Sequence, residues 1–189
     1  MGEHEGLNPG SRAVIEKLSS LDARYTQRLR LAEKRGGLRN LSIFLAHSGD
    51  SWFWILALIP LALSGRQPYA ELSAVMLAGI LVTAALVFSI KLIVRRRRPE
   101  GEWGQIYRKT DPHSFPSGHA ARAALLAVLG LGFGPAWLGV LLLIWAPLVI
   151  FSRVAMGLHY VSDVLIGALL GALIGLGILI FNPLPLTFV

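Results

Sequence analysis

Three polar clusters interrupt an otherwise apolar chain, and each holds residue types that suit a phosphate. The first is Lys91 to Pro99, reading KLIVRRRRP. Lys91 and Arg98 lie about two helical turns apart, so a helix continuing to Pro99 would point both cations in one direction. Arg95, Arg96 and Arg97 read as a basic flank that anchors a span to headgroups, and the bland reading extends this to the whole run. The second cluster, Phe115-Pro116-Ser117-Gly118-His119, leads directly into an apolar stretch. Ser117 can cap that helix, and Gly118 lets its backbone approach a ligand closely. Unpaired amides and the positive end of the helix dipole favour an anion there, within reach of His119. The alternative is a capped helix with an incidental histidine. In the third cluster, Ser152-Arg153 ends one apolar run, and His159 and Asp163 open the next. Four apart on a helix, the carboxylate would hydrogen-bond one imidazole nitrogen and leave the other to attack phosphorus. A chance His–Asp pair in a membrane helix is costly without a role.

These clusters need elements that carry them to one place. From Ser11 to Arg35, apolar residues at Val14, Leu18, Leu21, Tyr25 and Leu29 make one stripe of an amphipathic helix, which Gly36-Gly37 would end. Lys17, Arg24, Arg28 and Arg30 lie off that stripe, so the helix is expected to lie on the membrane surface, with residues 1–10 a loose terminus. Leu38–Ser64 is the least regular span. Its clean run, Ser51–Ser64, reaches only about 21 Å, so Leu41–Ala46 must contribute, and His47, Ser48 and Asp50 must face protein. Tyr69–Val94 is a full span. Gly118–Phe133 and Pro135–Phe151 form a helical pair across a Gly-Pro turn, with Pro147 a site for a kink. His159–Phe181 closes the set, with Gly167, Gly171 and Gly175 spaced for close helix packing.

Composition agrees. The 189 residues are 54% hydrophobic, with a mean hydropathy of +0.59, more apolar than a soluble domain of this size requires. The net charge of +7 suits an anionic membrane surface or substrate, and the hydrophobicity disfavours nucleic acid as a partner. There are no cysteines, and no secretory signal is read in the charged first 35 residues. The expected architecture is all-α: a polytopic membrane helix bundle of about five spans plus an N-terminal interfacial amphipathic helix. Residues 1–37 form the tail and interfacial helix, and 38–189 the membrane-embedded domain.

Taken together, Lys91-(six residues)-Arg98-Pro99, Pro116-Ser117-Gly118-His119 and Ser152-Arg153-(five residues)-His159-(three residues)-Asp163 resemble the three-part signature of the type 2 phosphatidic acid phosphatase superfamily. The resemblance covers about residues 38–182. It implies metal-independent hydrolysis of phosphomonoesters or pyrophosphates, with no cofactor. It implies that His159 is the nucleophile that becomes phosphorylated, Asp163 its orienting partner, and His119 the general acid. Lys91, Arg98, Ser117, Gly118 and Arg153 would hold the phosphate. Ser152 belongs to the motif with a less defined role. Arg122, three residues past His119, is placed to reach a second phosphate, and Tyr107 in the loop 100–114 to touch a headgroup. Unlike the commoner six-span pattern, this chain lacks a first span, and segment 11–35 stands in its place. The signature is shared with soluble vanadium haloperoxidases, a reading that the membrane spans oppose.

If the spans alternate, all three clusters and the N-terminal helix share one face. That face collects 17 of the 18 Lys and Arg residues and leaves only Arg66 opposite. The positive-inside rule then makes it cytosolic. A cytosolic site in a bacterial cell membrane would favour a phospholipid precursor such as phosphatidylglycerophosphate, phosphatidic acid, or a polyprenyl phosphate sugar. The alternative is an outward-facing site acting on undecaprenyl pyrophosphate. From another class, a transporter or scaffold would only bind lipid phosphate, and would need neither the acid nor the nucleophile. Oligomeric state is not legible, since the glycines serve contacts within one chain equally well.

Overall fold

Capping residues, glycines and prolines divide the apolar sequence into seven helices in a computed structural model that describes residues 8–31, 36–100 and 111–182. These are α1 (Pro9–Leu29), α2 (Gly37–Ser48), α3 (Ser51–Leu63), α4 (Tyr69–Val94), α5 (Gly118–Phe133), α6 (Ala136–Ala155) and α7 (Val161–Phe181). Among the described residues the extended pairing is a single bridge between Arg97 and His113.

Helices α4, α6 and α7 are each long and apolar enough to cross a membrane, and the bent pair α2–α3 makes a fourth candidate. Helix α5 is shorter, at 16 residues, and its burial explains why it can be. Ala120, Ala121, Ala123, Leu125, Leu126 and Leu129 are fully buried, because α4, α6 and α7 surround it. Their outer faces carry the exposed apolar side chains, among them Phe88, Ile144, Leu165 and Ile180. Such a surface suits lipid, and every helix satisfies its own backbone. Gly167, Gly171 and Gly175 line the α5 contact as their spacing predicts. A Cβ at Gly167 would lie 2.5 Å from the Ser117 carbonyl oxygen, and one at Gly171 would enter the Ala121 carbonyl.

Three boundaries differ from the sequence expectation. Helix α1 starts at Pro9, where the Asn8 side chain accepts the Gly10 amide at 2.7 Å, and the described helix stops at Leu29, not at Gly36-Gly37. There Arg30 turns extended, and the Leu31 amide donates to the Ala155 carbonyl at 2.8 Å, which ties the chain to the end of α6. Val14, Leu18 and Tyr25 stay exposed along the apolar stripe, while Asp22 and Thr26, on the flank beside it, meet the start of α7. Helix α4 ends at Val94, not at Pro99: Arg95 adopts a left-handed conformation, and the extended residues that follow bridge to His113. The third break divides Leu38–Ser64 between Ser48 and Ser51, with a bend of 50°. Ser48 and Asp50 face protein as expected, but the His47 side chain is half exposed.

Candidate active site

His159 does not lie on a helix. Gly157, with φ of +66°, turns the chain after α6, and Tyr160 caps α7 only after His159 has passed. The i,i+4 geometry expected for His159 and Asp163 is therefore absent, and Nδ1 stands 3.8 Å from Asp163 Oδ2, too far for a hydrogen bond. Nδ1–H instead donates to the Ser114 carbonyl at 2.7 Å. That contact fixes the tautomer that the sequence argument required, through a different partner. It leaves Nε2 as the lone-pair nitrogen, facing Arg98 Nη1 at 3.2 Å. Burial pushes the imidazole down to about 3; the Asp163 carboxylate resists this, while the charges of Arg98 and Arg153 add to it. At neutral pH the ring is an uncharged base.

Asp163 is fully buried, and its carboxylate holds the loop together. Oδ2 accepts the Tyr160 amide at 2.8 Å, and Oδ1 accepts from Arg96 Nη1 at 2.7 Å. Arg96 also donates from Nη2 to Asp22 of α1 at 2.8 Å, and its guanidinium stacks on the Tyr160 ring. Burial alone would lower the Arg96 pKa, but Asp163 and Asp22 together raise it. Asp22 in turn accepts the Ser162 amide, and Thr26 accepts that of Val161, so α1 satisfies the first free amides of α7. Arg96 is thus not a membrane flank.

Lys91 and Arg98 converge, as their spacing suggested, although only Lys91 is helical. Both grip Asp111: Lys91 Nζ through a short bond to the carboxylate, and Arg98 Nη2 at 2.8 Å. Lys91 also donates to the His113 carbonyl at 3.1 Å, and Arg98 to the Leu158 carbonyl at 2.8 Å. Burial would raise the Asp111 carboxyl, but the Lys91 hydrogen bond and the charges of Lys91 and Arg98 hold it below the usual carboxylate range. A carboxylate is therefore seated on the two cations assigned to the phosphate.

Ser117 caps α5 at the Ala120 amide, and its own amide donates to the Asp163 backbone carbonyl at 3.0 Å, which joins the start of α5 to the start of α7. His119 Nε2 lies 2.7 Å from Asp50 Oδ1 at the break between α2 and α3. Lys91, Asp111, Gly118, His119 and Arg122 line one cavity of about 410 Å³, continued by Val87 and Phe88 along α4. His159 lies behind Arg98 and is almost fully buried. Arg153 is buried at the end of α6, close enough for its charge to act on His159. Two further side chains are turned to protein partners. Ser152 donates to the Val149 carbonyl of its own helix at 2.7 Å, and Arg122 turns its donors to Gly49 and Ser51. Tyr107 lies outside the described residues. Among the described residues no three His, Asp or Glu side chains gather where they could hold a metal ion.

The model of the PAP2 superfamily matches residues 72–184. An undecaprenyl-diphosphatase of Sulfolobus acidocaldarius is 31% identical over 71% of this chain and 66% of its own length, slightly under two thirds. A decaprenylphosphoryl-5-phosphoribose phosphatase of Mycobacterium tuberculosis is 32% identical over 75% of this chain and 78% of its own. The fold is similar to that of a transmembrane PAP2-type phosphatidylglycerolphosphate phosphatase from Bacillus subtilis, with a TM-score of 0.72 at 23% identity over 88% of this chain and 86% of that one.

Proposed function

This chain belongs to the PAP2 superfamily, and we propose that it is a membrane-embedded phosphatase acting on a polyprenyl-linked phosphate or diphosphate through a phosphohistidine. The observation that carries the reading is the carboxylate of Asp111 held by Lys91 and Arg98 beside His119, at the polar end of a cavity whose other wall is apolar α4. From Lys91 to Thr83 that wall runs about 12 Å into the bundle, depth enough for the first part of a lipid tail. The two relatives described above are both named for polyprenyl substrates and match 71% and 75% of this chain, whereas a phosphatidylglycerophosphatase B of Haemophilus influenzae matches 44% of it, which favours the polyprenyl class.

In the proposed reaction the phosphate takes the place of the Asp111 carboxylate on Lys91 and Arg98, and Arg153 adds a third cation. His159 Nε2 attacks phosphorus in line as the bond to the leaving oxygen breaks, and His119 gives that oxygen its proton. Water then attacks the phosphohistidine, His119 takes the water's proton, and the P–N bond breaks to release phosphate and neutral His159. Positioning and charge stabilisation supply most of the rate in such transfers, with roughly 10²- to 10⁴-fold from the acid. Three buried cations supply the charge that a metal would otherwise bring, and they would repel a dication, so the reaction is proposed to be metal-independent.

The test uses purified protein in detergent with a panel of polyprenyl phosphate, polyprenyl diphosphate, phosphatidylglycerophosphate and phosphatidic acid. Phosphate release from a polyprenyl substrate in EDTA, and its loss in His159→Ala with lipid binding retained, is the expected result. Full turnover by His159→Ala would overturn the mechanism, and exclusive release from a glycerolipid would overturn the substrate class. The charge count supports a cytosolic site. The name of the Sulfolobus relative favours a second reading, in which the substrate is a polyprenyl diphosphate.

A further inference from the structure

We infer that Asp50 is a positioning residue for His119, holding its ring by Nε2 so that Nδ1 faces the leaving oxygen to which it delivers the proton. The inference deepens the reading of His119 as general acid and rests on it. An acid must carry its proton at the moment of transfer, and His119 shares its cavity with Lys91 and Arg122, whose charges oppose a positive ring. Asp50 is the carboxylate that offsets them. Its Oδ1 takes the His119 Nε2 contact at 2.7 Å, which commits Nε2–H as a donor and leaves Nδ1 for the substrate. Its Oδ2 faces His47 Nδ1 at 3.1 Å and the Trp52 indole at 3.3 Å. His47 is half exposed, so a His119–Asp50–His47 chain runs from the site to water.

The break that presents Asp50 is pinned from two sides. Arg122, one turn past His119 on α5, donates from Nε to the Gly49 carbonyl at 2.9 Å and from Nη1 to Ser51 Oγ at 2.5 Å, so it holds the residues on both sides of Asp50. Trp54 and Trp145 donate to the Ser48 carbonyl and hydroxyl at 3.1 and 2.9 Å. Gly49 is required here, because a Cβ would lie 2.8 Å from Val149 Cγ1 and 3.2 Å from the His119 ring. Arg122 thus acts through Asp50 on the acid. A second substrate phosphate would have to compete for a guanidinium already engaged on three of its nitrogens.

The experiment compares a lipid monophosphate, whose alkoxide leaving group needs the proton, with 4-nitrophenyl phosphate, whose leaving group does not. For Asp50→Asn, kcat on the lipid is expected to fall about 10²-fold and on the aryl ester less than about threefold. His119→Ala should show the same signature, and the double variant should be no worse than His119→Ala. Equal losses on both substrates, or none, would overturn the inference. If His119→Ala keeps the leaving-group signature and Asp50→Asn lacks it, Asp50 alone is misassigned and the acid role of His119 stands. Should Asp50→Asn fail to fold, ¹⁵N NMR of histidine-labelled native protein decides, with the His119 signals assigned by their loss in His119→Gln. A hydrogen-bonded Nε2–H together with a proton on Nδ1 is expected at the pH of activity, and a ring that lacks either proton there overturns the inference.

Discussion

Arg96 Nη1 lies 2.7 Å from Oδ1 of Asp163, a carboxylate with no solvent exposure. The pair is what holds the His159 loop against the start of α7, since the other Asp163 oxygen takes the Tyr160 amide. A charged hydrogen bond of this kind is worth about 1.5–3 kcal/mol, so Arg96→Gln should lower kcat roughly tenfold to a hundredfold with little change in KM. Arg95→Gln is the control: its side chain is exposed and bonds only the Leu92 carbonyl of its own helix among the contacts seen. Steady-state kinetics on the two variants decides, and equal activity would remove Arg96 from the site.

Asp111 occupies the cations that a substrate phosphate needs, and a neutral amide would compete less well. Asp111→Asn should therefore bind vanadate or inorganic phosphate about tenfold more tightly, the equivalent of about 1.4 kcal/mol. Because Lys91 and Arg98 hold the carboxyl below its ordinary value, acidification to pH 5 should not reproduce the effect in the native protein. Weaker inhibition of the variant would mean that Asp111 organises the cations and does not contest them.

The buried imidazole of His159 gives stability a pH dependence with a definite sign. An unfolded histidine takes a proton near 6.5, whereas the folded one resists until about 3. Between these values the unfolded state binds the extra proton, so stability falls as pH falls, by at most about 1.4 kcal/mol per unit. His159→Gln removes this contribution. Denaturant titrations from pH 7 to 4 should show a shallower loss in the variant, and parallel curves would refute the assignment. For the same reason an acid limb of kcat/KM near pH 6.5 would not belong to His159.

The close approach of α5 and α7 predicts opposite fates for two glycines on one helix. A methyl at Gly171 meets the Ala121 backbone, whereas Gly177 has nothing within 4 Å of its Cβ position. Gly171→Ala should cost about 1–3 kcal/mol, and Gly177→Ala should be neutral or slightly stabilising. Thermal midpoints in detergent separate the two.

Side-chain periods and single caps are local, and what depends on them was legible, although several helix ends were not. The spans, the α5 cap at Ser117 and the glycine stripe all follow from residues within a few positions of one another. The convergence of Lys91, Arg98, His119 and His159 was legible only because the three motifs resemble one family signature. The partners of those residues were not legible. Ser114 meets His159 across 45 positions, Asp163 meets Arg96 across 67, and Asp50 meets His119 across 69. No spacing rule spans such distances, and a carbonyl acceptor such as that of Ser114 carries no side-chain signal at all. His159 and Asp163 lack helical i,i+4 geometry for a related reason: Gly157 makes a turn where their spacing predicts a continuous helix, and the Ser114 carbonyl sets the tautomer in place of Asp163. Asp50 offered one hint, an acid inside an apolar stretch, which membrane energetics makes costly without a partner.

Orientation is the prediction with the widest consequence for substrate. The C-terminal ends of α4 and α6 and the N-terminal ends of α5 and α7 carry the candidate site, and α1 docks on the same end through Asp22 and Thr26. Arg66, between α3 and α4, stands at the other end. The chain has no native cysteine, so single-cysteine variants report topology without background. With the site in the cytosol, Ser64→Cys, beside the exposed α3–α4 turn, should react with an impermeant maleimide in intact bacteria, and Glu100→Cys should react only after permeabilisation. A cytosolic site meets lipids as they are made, which suits a phosphate ester on a newly assembled polyprenyl sugar. Labelling of Glu100→Cys in intact cells would reverse the assignment and favour a diphosphate released on the outer leaflet, because the positive-inside bias would then have been outweighed by the site's own need for cations.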